Sequence, residues 1–124
     1  MNKKTVNQNK KVLVYSCSGC SSVAQLANAI AVKLDRNGVA TMSCIAGVGG
    51  SVPGLVKMAK SADSIIGIDG CQLSCVEACL NQQKLKPTYH YDLSTLGAVK
   101  KFHQDPESED IDRLYELIRN GVRC

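Results

Sequence analysis

The chemistry this chain can do is sulfur chemistry. Its 124 residues hold seven cysteines, Cys17, Cys20, Cys44, Cys71, Cys75, Cys79 and Cys124. An odd number fits a complete disulfide framework poorly. Three uses of a thiol remain: metal ligation, nucleophilic or redox work, and burial as a small apolar side chain. The spacing separates them in part. Cys17 and Cys20 form a Cys-x-x-Cys pair. Cys71 and Cys75 stand four residues apart, so on a helix they share a face with Cβ atoms roughly 5–6 Å apart. Cys79 extends that stripe, and Cys124 is the terminal residue, where a solvated, incidental thiol is the expectation. Two histidines, His90 and His103, are singletons and read as structural or surface residues. No Ser-His-Asp or paired-carboxylate arrangement accompanies them.

The elements that must position these thiols follow from periodicity. Residues 11–16 (KVLVYS) form an apolar run of strand type. Val23, Leu26, Ala27, Ile30, Ala31 and Leu34 then recur at helical spacing over residues 22–36, and Asn37-Gly38 stops that helix. Residues 39–45 predict a second strand, followed by a glycine-rich loop at 47–50. Pro53 suits the first turn of a short helix to about residue 62. Residues 64–68 (SIIGI) predict a third strand, residues 72–84 a helix, and residues 88–93 a fourth strand. A loop with at most one helical turn spans 94–104. Asp105 is the expected N-cap of a last helix, with Glu107, Glu109 and Asp110 in its first turn and Ile111, Leu114, Tyr115 and Ile118 on its buried face.

Strands alternating with helices predict an α/β protein, a Rossmann-like three-layer sandwich around a mostly parallel four-stranded sheet. In such sheets ligands bind beyond the carboxyl ends of the strands. Cys17 follows the first strand, Cys44 lies near the end of the second, Cys71 follows the third, and Cys75 comes one helical turn later. Four distant thiols are thereby expected at one edge of one sheet. Four thiolates suit tetrahedral zinc, at ~2.3 Å from the metal. They equally suit an iron–sulfur cluster, which is the second choice of cofactor here. Cys17 and Cys71 both open toward helix N-termini, which is expected to lower their thiol pKa values. Cys20 is a fifth candidate. Zinc takes four thiolates, so one of the five is expected to be spare, and Cys20 is that residue. Gly47, Gly49 and Gly50 are read as sites of close backbone approach, and Asp69 as a group holding loop amides that present Cys71.

At this point the sequence resembles the DGC-domain family. The resemblance rests on Cys17-Ser18-Gly19, on residues 44–50 (CIAGVGG), and on Ile68-Asp69-Gly70-Cys71 followed by Cys75. It implies zinc binding, with Cys17, Cys44, Cys71 and Cys75 as the ligands, and no settled catalytic activity. A more local resemblance links residues 12–22 (VLVYSCSGCSS) to the phosphocysteine loop of sugar phosphotransferase IIB domains, in which the cysteine after the first strand is the nucleophile. That alternative explains Cys17 alone. The turn is also similar to the Cys-x₅-Arg loop of low-molecular-weight phosphatases, but Val23 stands where the arginine belongs, so the charge partner of the transition state is missing.

Composition narrows the class further. Apolar residues make up 44% and charged residues 21% of the chain, a globular balance. Lys3, Lys4, Lys10 and Lys11 account for the whole net charge of +4. Residues 1–10 are therefore expected to be a basic tail, and residues 11–124 a single domain. The five aromatics, Tyr15, Tyr89, Tyr91, Phe102 and Tyr115, lack basic company, which argues against nucleic acid as a partner. No apolar run approaches the ~20 residues that span a bilayer, and no leader is visible, so a cytoplasmic protein without a membrane partner is expected. The functional expectation is a cysteine-rich zinc-binding protein. The alternative is a thiol enzyme, an oxidoreductase or sulfur-transfer protein, with Cys17 or Cys71 as nucleophile and Cys20 or Cys75 resolving.

Overall fold

A computed structural model describes residues 10–122. The basic tail before residue 10 and Cys124 lie outside the described residues. Strand β1 (Val12–Ser16) is buried along its whole length. It is followed by α1 (Ser22–Arg36), β2 (Thr41–Met42), α2 (Ile45–Gly49), α3 (Pro53–Lys60), β3 (Ser64–Asp69), α4 (Cys75–Gln82), β4 (Tyr89–Asp92), a 3₁₀ turn (Leu93–Leu96) and α5 (Ser108–Gly121). The sheet order is β2-β1-β3-β4. All three pairings are parallel, with Leu13 opposite Thr41, Tyr15 opposite Gly67 and Gly67 opposite His90. The sheet is therefore entirely parallel, and the expected α/β class holds.

The chain steps from β1 outward to β2, then back across to β3 and on to β4. Right-handed crossovers put the helices of opposite steps on opposite faces. Accordingly α1 packs with α5, while α2 packs with α3 and α4. The apolar stripe of α1 is buried as its spacing requires, with Ala27, Ile30, Ala31 and Leu34 at 0% exposure. Ser21 caps α1, its Oγ accepting the Ala24 N–H at 3.2 Å, which satisfies one of the free amides of the first turn. Leu114, Tyr115 and Ile118 bury the inner face of α5, and Ile111 lies at its margin.

Four elements differ from expectation. The second strand shrinks from 39–45 to Thr41–Met42, because β2 is an edge strand with β1 as its one partner. The glycine run expected as a loop is instead helix α2, and Cys44 is its N-cap rather than a strand residue. Packing overrides the poor helix propensity of glycine there. A Cβ at Gly47 would stand 2.0 Å from Leu55 Cδ1, and one at Gly49 would stand 2.6 Å from Cys79 Sγ. The glycines thus let α2 lie against α3 and α4. The helix expected over 72–84 begins only at Cys75, because Ser74 adopts φ 52 in the left-handed region and residues 70–74 form a turn. The last helix is capped at Glu107 and not at Asp105.

Candidate functional site

The strands β1 and β3 are neighbours, but their following helices leave in opposite directions. A crevice must open between the two loops at that switch point. It is a cleft of about 190 Å³, lined by Cys17, Cys20, Cys71 and Cys75 together with Asp69, Leu73, Lys100 and Phe102. Four of the thiols singled out from sequence thus share one cleft. Cys44 does not line it. It stands exposed at the start of α2, where its charge, after burial, adds to the upward shift of the Tyr15 hydroxyl. Cys79 is half-buried under Gly49, and burial raises its pKa.

Cys17 is the most enclosed of the cleft thiols, at 8% exposure. Its N–H donates to the Ile68 carbonyl at 3.1 Å, extending the sheet by one rung. Its Sγ accepts the Gly70 N–H at 3.2 Å. Burial nevertheless dominates and pushes the Cys17 thiol up to about 11, and negative charge at Asp69, Cys75 and Cys71 adds to the rise. The expected lowering by a helix N-terminus is therefore reversed: the Gly70 amide pulls the other way but loses to desolvation.

Each residue of Asp69-Gly70-Cys71 has a separate physical task. Asp69 is 1% exposed. Its Oδ1 accepts the Val76 N–H at 2.8 Å, and its Oδ2 accepts the Glu77 N–H at 3.4 Å. The carboxylate therefore caps α4, which its own N-cap side chain, Ser74, does not do. The sequence had pointed Asp69 at loop amides; it holds helix amides instead. His90 Nε2 sits 2.8 Å from Asp69 Oδ2 and braces it from the next strand. Gly67 leaves room for this arrangement, since a Cβ there would be 3.2 Å from Val76 Cγ1 and 3.6 Å from His90 Cδ2. Gly70 lets the loop touch the start of α1. Cys71 presents its half-buried sulfur to the cleft, 3.6 Å from Lys100 Nζ.

Sequence reasoning missed His90 and Lys100 as parts of this site. His90 left one trace, a histidine in register with a strand-interior glycine. Lys100 left none, because it lies 29 residues from Cys71 in a polar stretch. His103 is exposed with φ 64 in a bend and does not line the cleft.

Soft sulfur donors suit a thiophilic metal by chemistry, and Cys71 and Cys75 both lie within electrostatic reach of Cys17. Their side chains as they stand do not form a closed shell. Among the described residues, no three His, Cys, Asp or Glu side chains are close enough together to hold a metal ion. The cleft therefore gathers four sulfur side chains without a preformed cage.

The Cys17 environment gives a pH prediction. The folded pKa lies above the ordinary value of 9.0, so between about 9 and 11 the folded chain holds a proton that the unfolded chain has released. Stability should fall as pH rises through that window, and Cys17→Ser should remove part of the slope. In iodoacetamide labelling at pH 8, exposed Cys20, Cys44 and Cys75 should react first and Cys17 last. Early labelling of Cys17 would contradict its burial and raised pKa.

An all-parallel α/β sheet with a thiol-lined cleft at its switch point defines a cysteine-cleft α/β protein. Within that class the chain belongs to the DGC-domain family, whose domain it matches over residues 13–118. It is also similar to the anaerobic and virulence modulator AnvM of Pseudomonas aeruginosa. The two are 54% identical over 108 residues, which cover 86% of this chain and 82% of the relative. No solved structure matches the chain. Among the described residues, no helix is long and apolar enough to cross a membrane.

Proposed function

We propose that this protein binds one thiophilic metal ion, zinc first, in the cleft between the β1–α1 and β3–α4 loops. Cys17, Cys71 and Cys75 are the core donors, and Cys20 is the fourth because it lines the same cleft. The observation that carries this reading is the convergence of cysteines from two separate strand ends on one small crevice. Zinc has no ligand-field preference and takes thiolates tetrahedrally. Because the thiols are not caged beforehand, binding draws the two loops together and releases protons from the donors, Cys17 above all. The family resemblance favours Cys44 in place of Cys20. Cys44 would have to approach from the α2 side of α4.

The relative's description as a modulator extends to this chain as a second part of the proposal: the metal state of the cleft is what the protein reports. A cytoplasmic setting, where thiols stay reduced, suits that role. A thiol-redox reading competes with it, favoured by exposed Cys20 three residues from Cys17 in the same cleft. Mass spectrometry of metal content in reduced, desalted protein separates the two. We expect one zinc per chain, strongly reduced by Cys17→Ser, Cys71→Ser or Cys75→Ser. Loss in Cys20→Ser with retention in Cys44→Ser assigns the fourth donor to the cleft, and the opposite result assigns it to α2. A wild type that takes up no metal defeats the proposal and leaves the redox reading.

A further inference from the structure

Among the described residues, Lys100 is the one cation that lines the cleft, and its placement is specific. The segment carrying Lys100 is tied to the first residue of α1 by three hydrogen bonds. The Ser22 N–H donates to the Lys101 carbonyl at 2.8 Å, the Lys101 N–H donates to Ser22 Oγ at 2.9 Å, and Ser22 Oγ donates to the Val99 carbonyl at 3.3 Å. From this anchored backbone the Lys100 side chain reaches over the Phe102 ring, 5.6 Å from its centroid, to within 3.6 Å of Cys71 Sγ. Among the described residues, no carboxylate pairs with Lys100. The charge is directed at a sulfur, on a segment fixed to the same helix that borders the cleft.

A metal bound by four thiolates carries excess negative charge in a partly enclosed site. Donors to the sulfurs offset that charge and orient the ligands. The Gly70 N–H does this for Cys17 at 3.2 Å. We propose that Lys100 does it for Cys71, as a positioning residue that touches the sulfur and not the metal. Its ammonium turns the Cys71 sulfur into the cleft and stabilises the bound thiolate, so Lys100 sets how firmly the site retains its ion. The inference rests on the metal reading above.

Cobalt(II) is the probe, added to the reduced protein, with the sulfur-to-cobalt charge-transfer band and the affinity as readouts. A cation beside a thiolate lowers the energy of its lone pairs. Lys100→Met should therefore move the band to longer wavelength and weaken cobalt binding about tenfold. Lys100→Arg, which keeps the charge and the donor, should restore both in part. Lys101→Met, which removes the neighbouring charge from a side chain that does not line the thiol cleft, should match the wild type. A general loss of fold would not shift the band while arginine restores it. If the wild type binds cobalt and Lys100→Met matches it in band and affinity, the role of Lys100 is overturned. If the wild type takes up no cobalt, the metal reading falls and takes this inference with it.

Discussion

Asp69→Ala should lower the stability of the metal-free protein by about 3 kcal/mol, since breaking a buried charged hydrogen-bond network costs in that range. The size follows from what one side chain holds. Two amides of α4 and the His90 ring all depend on a carboxylate that is 1% exposed. Ser74 offers no substitute cap, because its side chain makes no capping bond. Removing the carboxylate leaves two donors facing a partly dry space and frees the end of a helix whose Val76 and Leu80 are fully buried. Asp69→Asn keeps an acceptor oxygen and should cost about half as much, while His90→Gln should cost about 1 kcal/mol. Urea unfolding would show the loss as a lower midpoint at unchanged slope. The same variant should expose Cys79 to alkylation, because α4 would fray from the end that carries Cys75. A midpoint within error of the wild type would mean that Asp69 does not hold the helix.

The sequence made the scaffold legible wherever burial imposes a period. The run at 11–16 and the stripe from Val23 to Leu34 could form only a buried strand and an amphipathic helix. The alternation of such segments left a parallel sheet as the economical arrangement. The convergence of Cys17, Cys71 and Cys75 followed from topology alone, because each begins a loop or helix at the carboxyl end of a central strand. Cys44 was placed less well. Its position depended on whether residues 43–50 ended a strand and ran into a loop or turned into a helix, and local propensity argued against the helix. The decision was made by Leu55 and Cys79, which fill the space that glycine side chains leave open. The thiol electrostatics were also out of reach. A helix N-terminus near Cys17 was visible in the pattern, but the depth of its burial was not, and burial sets the direction of the shift. Lys100 illustrates the limit most plainly. Nothing within the segment 97–101 marks it, and its meaning comes from three hydrogen bonds to Ser22, 77 to 79 residues away in the chain.

Gly70→Ala should damage fold and site together. A Cβ on Gly70 would lie 2.5 Å from the Val23 carbonyl oxygen, 2.6 Å from its carbon and 3.0 Å from the Ala24 nitrogen. These are backbone atoms in the first turn of α1, so no side-chain rotation can relieve the clash. Either α1 moves away from the sheet, against the packing of Val23 and Leu26, or the 70–74 loop moves outward with Cys71. Overpacking of this kind costs about 1–3 kcal/mol, enough to lower the melting temperature of a domain this size by about 4 °C per kcal/mol. Both escapes widen the cleft. They pull the Gly70 amide from Cys17 Sγ, bonded at 3.2 Å, or carry Cys71 from Lys100. If the cleft holds metal as proposed, retention should fall by more than the loss of stability alone explains. Two other glycines serve as controls. Gly54 has open space at the Cβ position within α3, so Gly54→Ala should be neutral or slightly stabilising. Gly38 is also uncrowded but has φ 75, so Gly38→Ala should cost about 1 kcal/mol through backbone strain without touching the cleft. Calorimetry of the three variants orders them Gly54→Ala, Gly38→Ala, Gly70→Ala by increasing cost. If Gly70→Ala melts with Gly54→Ala and keeps its metal, the contact between the loop and α1 is not what shapes the cleft.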